Sequence, residues 1–346
     1  MILLYHILAI CQQFFKFWSI MNIQTVAEKA RVSVATVSRV INKTAKVSKE
    51  TERRVLAAIK ELGYLPNALA KGLRTNNSLK LIGIICTDIT DFYYAQAVAA
   101  LERELRTRGF ESLLACTGND TAVRYKSIDG MLRKNVDAII LVGSVFSEQN
   151  NPNIKRAASL LPVFIINGII DCENTFSVYC DDFSAMSQCC RSLIDSGRRN
   201  ILYLYDADSF SGRRKADGFK FAADQAAIDY KMLKCKKDTE SIEQTVFDAL
   251  NNDENVDAIA ASEDFLAVAA LNCAQEAGFS VPERIAVIGY NNSVIAELAR
   301  PKLTSVDNRI EDICIKAVQE LSEVLNGCDV PKSTEIPYRI VKRQTF

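Results

Sequence analysis

At 346 residues the chain exceeds one ordinary domain, and its 49% hydrophobic and 24% charged residues argue against disorder, collagen and coiled coil. The 42 Lys+Arg and 42 Asp+Glu cancel overall, yet residues 21–80 carry 12 basic against 4 acidic groups, and residues 81–346 carry 29 against 38. A basic segment on an acidic body predicts an anionic partner that meets one end only. The single His, His6, removes Ser-His-Asp, Cys-His and His-based zinc chemistry from the body of the chain, so no metal or cofactor is expected. The 11 Cys show no CxxC spacing and read as small core residues in a reducing compartment.

Residues 1–20 are strongly apolar with one charge, Lys16. They lack the basic start and small-residue cleavage site of a signal peptide. Gln12, Gln13 and Lys16 interrupt them as a membrane span. They read best as a mis-assigned extension ahead of a start at Met21, with an anchor or tail as the other reading.

Residues 21–65 read as three short helices. Thr25 and Glu28 have capping-box spacing for a helix to about Ala30. Arg31-Val32 makes a turn, and Ser33 caps a second helix, Val34 to Ile41. Val26, Ala27 and Ala30 face Val37, Val40 and Ile41 at helical spacing. A third helix follows Ser48, with Val55, Leu56, Ile59 and Leu62 inward and Gly63 as its stop. Three basic helices of this size form a helix-turn-helix unit whose second helix enters the major groove. Arg39 has the fork for guanine O6 and N7, and Val34 and Ala35 suit thymine methyls. Ser33, Thr36, Ser38, Asn42, Lys46, Ser48 and Thr51 can contact phosphates.

Residues 66–79 read as a linker. Pro66 ends the third helix, and Asn67 caps a short segment, Ala68 to Arg74, too brief to be stable alone. Gly72 weakens that segment by about 1 kcal/mol relative to Ala.

VAEKARVSVATVSRVIN followed by VSKETERRVLAAIKELGYLPNALAKGL resembles the headpiece of the lactose-repressor (LacI/GalR) family of bacterial transcriptional regulators, and the resemblance continues through nearly all of 22–346. It implies that the linker enters the minor groove of operator DNA and wedges Leu73 between base steps.

Residues 80–346 alternate strand and helix. Apolar runs at 81–86, 112–116, 137–142 and 163–166 predict strands, with helices over 94–108 and 121–134. A second series has strands at 200–205, 257–261 and 284–288, and helices over 184–196, 214–227, 241–251 and 264–277. This pattern implies two parallel sheets covered by helices, hence two lobes. A helix over 308–326 and a strand over 336–342 read as crossovers between them. Ligands of such sheets bind at the strand C-termini.

The resemblance implies a periplasmic-binding-protein-like sensor in 80–346, with effector contacts at Tyr93, Tyr94, Asn167, Ser211, Lys215, Asp264 and Asn291. Three motifs depart from the family. Lys215 stands where Arg is usual and cannot make its planar fork. Gly289-Tyr290-Asn291-Asn292 lacks an acid, and Leu193-Ile194-Asp195-Ser196-Gly197-Arg198 ends in Arg instead of His. The run Arg213-Arg214-Lys215 reads as a solvated helix start, with an acidic or phosphorylated sugar as the other reading. The implied protein is a homodimeric repressor of the cytoplasm and nucleoid, not an enzyme, bound to double-stranded operator DNA and controlled by a small polar effector, a sugar or sugar derivative. The rival reading is the solute-binding protein of a sugar transporter, which needs an export signal and no DNA reader.

Overall fold

The computed structural model describes residues 23–42, 45–62, 80–147 and 151–346; of Asn42 it describes the backbone. The chain divides into two compact units, Met1–Leu79 and Lys80–Phe346.

In the first unit, α1 (Ile23–Ala30), α2 (Val34–Asn42) and α3 (Lys49–Leu62) enclose a small core. Val26, Ala27, Ala30, Val37, Val40, Val55 and Ala58 are its buried members, with Ile41, Ile59 and Leu62 packed against them. Two expectations are corrected. Helix α1 is already formed at Ile23, so Thr25 lies inside it and is not its cap. Leu56 points outward at 52% exposure, and Ala58 takes the inward place. Val55, Ala58, Ile59 and Leu62 keep three-and-four spacing, and Leu56 falls about 100° off that stripe.

The second unit holds two six-stranded sheets. The first lobe contains β1 (Leu81–Cys86), α4 (Phe92–Thr107), β2 (Glu111–Cys116), α5 (Thr121–Arg133), β3 (Ala138–Val142), α6 (Pro152–Ala158), β4 (Val163–Ile166) and β5 (Thr175–Tyr179). The second contains α7 (Asp182–Asp195), β6 (Asn200–Tyr205), α8 (Phe210–Ala226), β7 (Asp229–Lys234), α9 (Thr239–Asn252), β8 (Ala258–Ala261), α10 (Asp264–Glu276), β9 (Ala286–Tyr290), α11 (Val294–Leu298) and β10 (Thr304–Asp307). The chain then returns: α12 (Ile310–Leu325) buries Ile310, Ile313, Cys314, Ala317, Val318 and Leu321 in the first lobe's core. Strand β11 (Ser333–Glu335) joins the first sheet beside β5, and β12 (Arg339–Val341) joins the second beside β10.

The strand expected at 336–342 is shortened to β12, and a separate short strand, β11, precedes it in the other sheet. Strand β12 runs antiparallel to β10, whereas the other pairings are parallel. The strand expected at 284–288 starts at Ala286, because Arg284 is used otherwise: its guanidinium donates to the carbonyls of Val256 and Glu254. Arg198, standing where the family carries His, also gathers carbonyls, those of Asp257, Pro282 and Arg284, at 2.6–3.0 Å. Among the described residues no helix is long and apolar enough to cross a membrane.

The sheet orders position the cleft. In the first sheet β1 lies between β2 and β3; in the second, β6 lies between β7 and β8. Connections leave in opposite directions at each of these points, which opens a crevice at the strand C-termini.

Candidate functional site

Two surfaces carry the candidate residues. On the first unit, Ser33 caps α2: its Oγ accepts from the Thr36 N–H at 3.2 Å and lies 2.9 Å from Thr36 Oγ1. Ser48 and Thr51 repeat that geometry at the start of α3, with 3.2 and 2.9 Å. Burying Val37 and Val40 turns the other face of α2 outward. Ser33, Val34, Ala35 and Arg39 are exposed there, with Thr36 and Ser38 half-buried beside them. Lys46 and Ser48 are exposed and Thr51 is half-buried. The side chain of Asn42, and all of Asn67, Gly72 and Leu73, lie outside the described residues.

On the second unit, one cleft of about 670 Å³ lies between the lobes. Tyr93, Tyr94, Asn167, Ser211, Lys215, Asp264 and Asn291 all line it. The first lobe contributes the segment after β1, Gly143 and Ser144 after β3, and Asn167 after β4. The second contributes Asp206 and Ser209 after β6, Lys237 after β7, Glu263 and Asp264 after β8, and Asn291 and Ser293 after β9. Ser211 and Lys215 lie in the first turns of α8, which Ser209 caps four residues earlier than the sequence pattern suggests.

Tyr93 and Tyr94 meet edge to face, ring centroids 5.2 Å apart. Burial pushes the Tyr94 phenol up to about 12, partly opposed by its hydrogen bond with Thr87. Burial also raises the Tyr93 phenol, whose Oη is buried without a hydrogen-bond partner among the described residues. Gly143 makes room for this pair. Its φ is +105°, and a Cβ there would sit 2.8 Å from the Tyr94 ring. Asn167 has φ +54° and its Oδ1 accepts from the Cys180 N–H at 3.3 Å, which ties the cleft floor to the lobe crossing.

Asp264 is 2% exposed and heavily engaged. Its Oδ2 accepts from the N–H and Oγ of Ser293 at 2.6 and 2.8 Å, and its Oδ1 from Ser305 Oγ at 2.6 Å. Burial lifts its carboxyl to about 6 against the pull of those donors. It is the first residue of α10, with Glu263 at the cap position. Its side chain therefore joins α10 to the β9–α11 loop and to β10. Lys215 donates to the Ser262 carbonyl at 2.8 Å and lies 4.5 Å from the Tyr290 ring centroid. Asn291, at φ +95°, accepts from Asn308 Nδ2 at 3.0 Å. Arg213 and Arg214 do not line the cleft; Arg214 pairs with Asp181 at 2.6 Å, and Arg213 donates to the Asp208 carbonyl.

Lys237 was not among the expected contacts. Its ammonium bridges Asp91 of the first lobe and Glu263 of the second, at 2.6 and 2.8 Å. Burial opposes its charge, but Glu263 and Asp91 outweigh that and raise its pKa. Burial, reinforced by Asp206, lifts the Glu263 carboxyl to about 7 despite the Lys237 ion pair, and Glu263 Oε1 is buried with no partner among the described residues. Both values rise, which favours the charged form of Lys237 but the neutral form of Glu263. Lys237 is thus held charged by Glu263 and Asp91 together, while burial lets Glu263 take up a proton near neutrality. Ser144 Oγ donates to Ser209 Oγ at 3.1 Å as a second bond across the lobes. Asp182, at the crossing, was also missed. Burial raises its pKa, opposed by Lys215, and it accepts from Tyr290 Oη at 2.6 Å.

Residues 22–67 match the model of bacterial regulatory proteins of the lacI family, and residues 190–346 match the periplasmic binding protein-like domain. An HTH-type transcriptional regulator of Lachnoclostridium phytofermentans is 40% identical over 331 residues, covering 94% of this chain and 99% of that protein. The lac repressor dimer bound to operator and an anti-inducer is similar in fold, with TM-score 0.80 at 23% identity, covering 94% of this chain and 98% of that one. The complex of the transcriptional regulator CelR with cellobiose has TM-score 0.67 at 26% identity, covering 94% and 99%. A helix-turn-helix unit with an exposed second helix, followed by a two-lobed sensor and matched over nearly its whole length by such a relative, places this chain in the lacI family of bacterial regulatory proteins, as a DNA-binding regulator of transcription.

Proposed function

We propose that this regulator is a repressor of the cytoplasm and nucleoid that binds operator DNA as a homodimer and is controlled by a carbohydrate effector bound between the lobes. In this reading residues 21–65 are the headpiece, 66–79 the hinge and 80–346 the sensor and dimerisation unit. Arg39 forks onto guanine, Val34 and Ala35 meet thymine methyls, and Ser33, Thr36, Ser38, Asn42, Lys46, Ser48 and Thr51 hold phosphates. Asn67 caps the hinge segment, and Leu73 is its wedge in the minor groove. Tyr93, Tyr94, Asn167, Ser211, Lys215, Asp264 and Asn291 hold the effector, which leaves chemically unchanged.

The observation that carries the reading is the cleft: aromatic faces, amides and carboxylates from both lobes converge on one cavity at the strand C-termini. The cellobiose complex of CelR and the operator complex of the lac repressor dimer support the effector class and the dimer. An effector moves the operator equilibrium only by its differential affinity for the two lobe arrangements.

The test is an operator selected from random duplexes with the full chain, then titrated by fluorescence anisotropy with and without a panel of neutral sugars. One sugar should change the operator Kd. Arg39→Ala should lose about 1–3 kcal/mol on the selected site and less on random DNA. Sedimentation showing only monomer, or an operator Kd indifferent to every sugar that raises the Tm, overturns the reading.

A further inference from the structure

Cys86 is the last residue of β1 and Cys116 the last of β2, and the two are register partners in adjacent parallel strands. Their Sγ atoms are 3.7 Å apart. Cys86 is fully buried in the first lobe's core, whereas Cys116 is exposed. Among the described residues strand β2 is the edge of its sheet, with β1 as its one neighbour. No effector or DNA contact proposed above uses either thiol. The residues just beyond them do belong to the cleft: Thr87 and Asp88 follow Cys86, and Gly118 and Asn119 follow Cys116 by two and three positions. The two chain ends are stitched there, since the N–H groups of Thr117 and Gly118 donate to the carbonyls of Cys86 and Thr87 at 3.0 and 2.9 Å.

We propose that Cys86 and Cys116 form an oxidation site, at which a peroxide-class oxidant closes an intramolecular disulfide on the rim of the effector cleft. Access sets the order of events. The Cys116 sulfur attacks one peroxide oxygen, the O–O bond breaks, and the departing hydroxide leaves as water with the thiol proton. Cys116 is then a sulfenic acid. The Cys86 sulfur, in contact with it, gives up its proton and attacks. The S–S bond forms, the S–O bond breaks, and a second water leaves. Two thiols lose two electrons and one peroxide becomes two waters.

Burial, helped by Cys116, pushes the Cys86 thiol up to about 12, so it stays protonated and indifferent to free peroxide. Contact with the sulfenic acid replaces a bimolecular encounter by an intramolecular one, which offsets that low nucleophilicity. Closing the bond brings the sulfurs from 3.7 Å to about 2.05 Å. An edge strand that ends at Cys116 can make that shift, and it draws the segments after β1 and β2 together. Weaker effector binding follows; this last step rests on the reading of the cleft given above, and the disulfide itself does not.

The full chain, reduced and freed of reductant, is treated with hydrogen peroxide and examined by intact mass and non-reducing peptide mapping. The expected product has lost two hydrogens and links the Cys86 peptide to the Cys116 peptide. Exposed Cys328 serves as the internal reference for unassisted oxidation. Cys86→Ser should leave Cys116 as a dimedone-trappable sulfenic acid, and Cys116→Ser should leave Cys86 reduced. A Cys116 link to a second copy of the chain, or both thiols still alkylatable after Cys328 is oxidised, overturns the site. With a sugar that raises the Tm of the reduced protein, oxidation should shrink that rise and dithiothreitol restore it. A disulfide that leaves the rise unchanged refutes the coupling to the cleft. A reduced protein that answers no sugar refutes the effector reading, with the mapping result unaffected.

Discussion

Asp264 tests how a buried carboxylate can hold a cleft wall in place at a cost to itself. It accepts three short hydrogen bonds, from Ser293 N, Ser293 Oγ and Ser305 Oγ. A bond to a charged group contributes about 1.5–3 kcal/mol, and the three share one acceptor, so their values do not add. Against them stands burial, which lifts the carboxyl from 3.8 to about 6. At 1.36 kcal/mol per pH unit, that gap is about 3 kcal/mol. The folded pKa lies above the unfolded one, so between about 4 and 6 the native state binds more protons. Stability from this group is fully present below pH 3.8, and is lost as pH rises to about 6. Asp264→Ala leaves three donors unpaired in a dry site and should cost about 2–4 kcal/mol at pH 7. Asp264→Asn keeps one carbonyl acceptor and removes the buried charge, so it should cost about 1 kcal/mol and erase the pH 4–6 slope. Urea unfolding of both variants and the parent, from pH 4 to 8, measures all of this. An Asp264→Asn profile as steep as the parent's, or an Asp264→Ala midpoint unchanged at pH 7, would refute the reasoning.

Three further outcomes are expected. Lys237→Ala removes the link between Asp91 and Glu263; because Lys237 is 39% exposed, the loss should be about 1–2 kcal/mol. That loss should be larger at pH 8 than at pH 6, since Glu263, lifted to about 7, is then charged without a partner, and equal losses at the two pH values would contradict the assignment. Gly143→Ala combines a backbone at φ +105° with a Cβ 2.8 Å from the Tyr94 ring, so chemical denaturation should show a loss of about 2–4 kcal/mol. Operator binding should weaken steeply with salt, because residues 21–80 carry 12 basic against 4 acidic groups, and a flat log Kd against log salt would deny the phosphate contacts.

Much of the architecture was legible because its signals are local. The start of α2 was readable from Ser33 and the Val37–Val40–Ile41 stripe, and buried strands such as Leu81–Cys86 announce themselves as apolar runs. Strand β10 did not, for its TSVD is half polar; it is nonetheless buried, because Ser305 donates to Asp264 and the Thr304 N–H to Thr345. Strands β5 and β7 hid for a similar reason, with polar residues at Thr175, Ser177, Asp229 and Lys231. The seven cleft residues were found because they follow strand ends or match family positions. Lys237 was not, because its partner Asp91 is 146 residues away and nothing in its surroundings foretells the pairing. The Cys86–Cys116 contact is likewise a matter of register, which spacing along the chain does not encode.

The chain crosses between the lobes three times, after β5, after β10 and between β11 and β12. Each sheet therefore receives its last strand from residues 333–341; in the first sheet that strand comes long after its neighbour β5, which ends at Tyr179. During synthesis the first lobe cannot close when β5 emerges; its core still lacks α12 and its edge still lacks β11. The nascent chain must carry an apolar, incompletely covered sheet while well over a hundred further residues are added, at roughly 5–20 residues per second. Sequence-distant closure of this kind slows folding and lengthens the exposure to aggregation. The topology that gives both lobes a shared crossing thus also postpones completion of the first lobe until the end of the chain. Variants that weaken the 333–341 segment should reveal themselves first as low yield from the ribosome, before any loss of regulation can be measured.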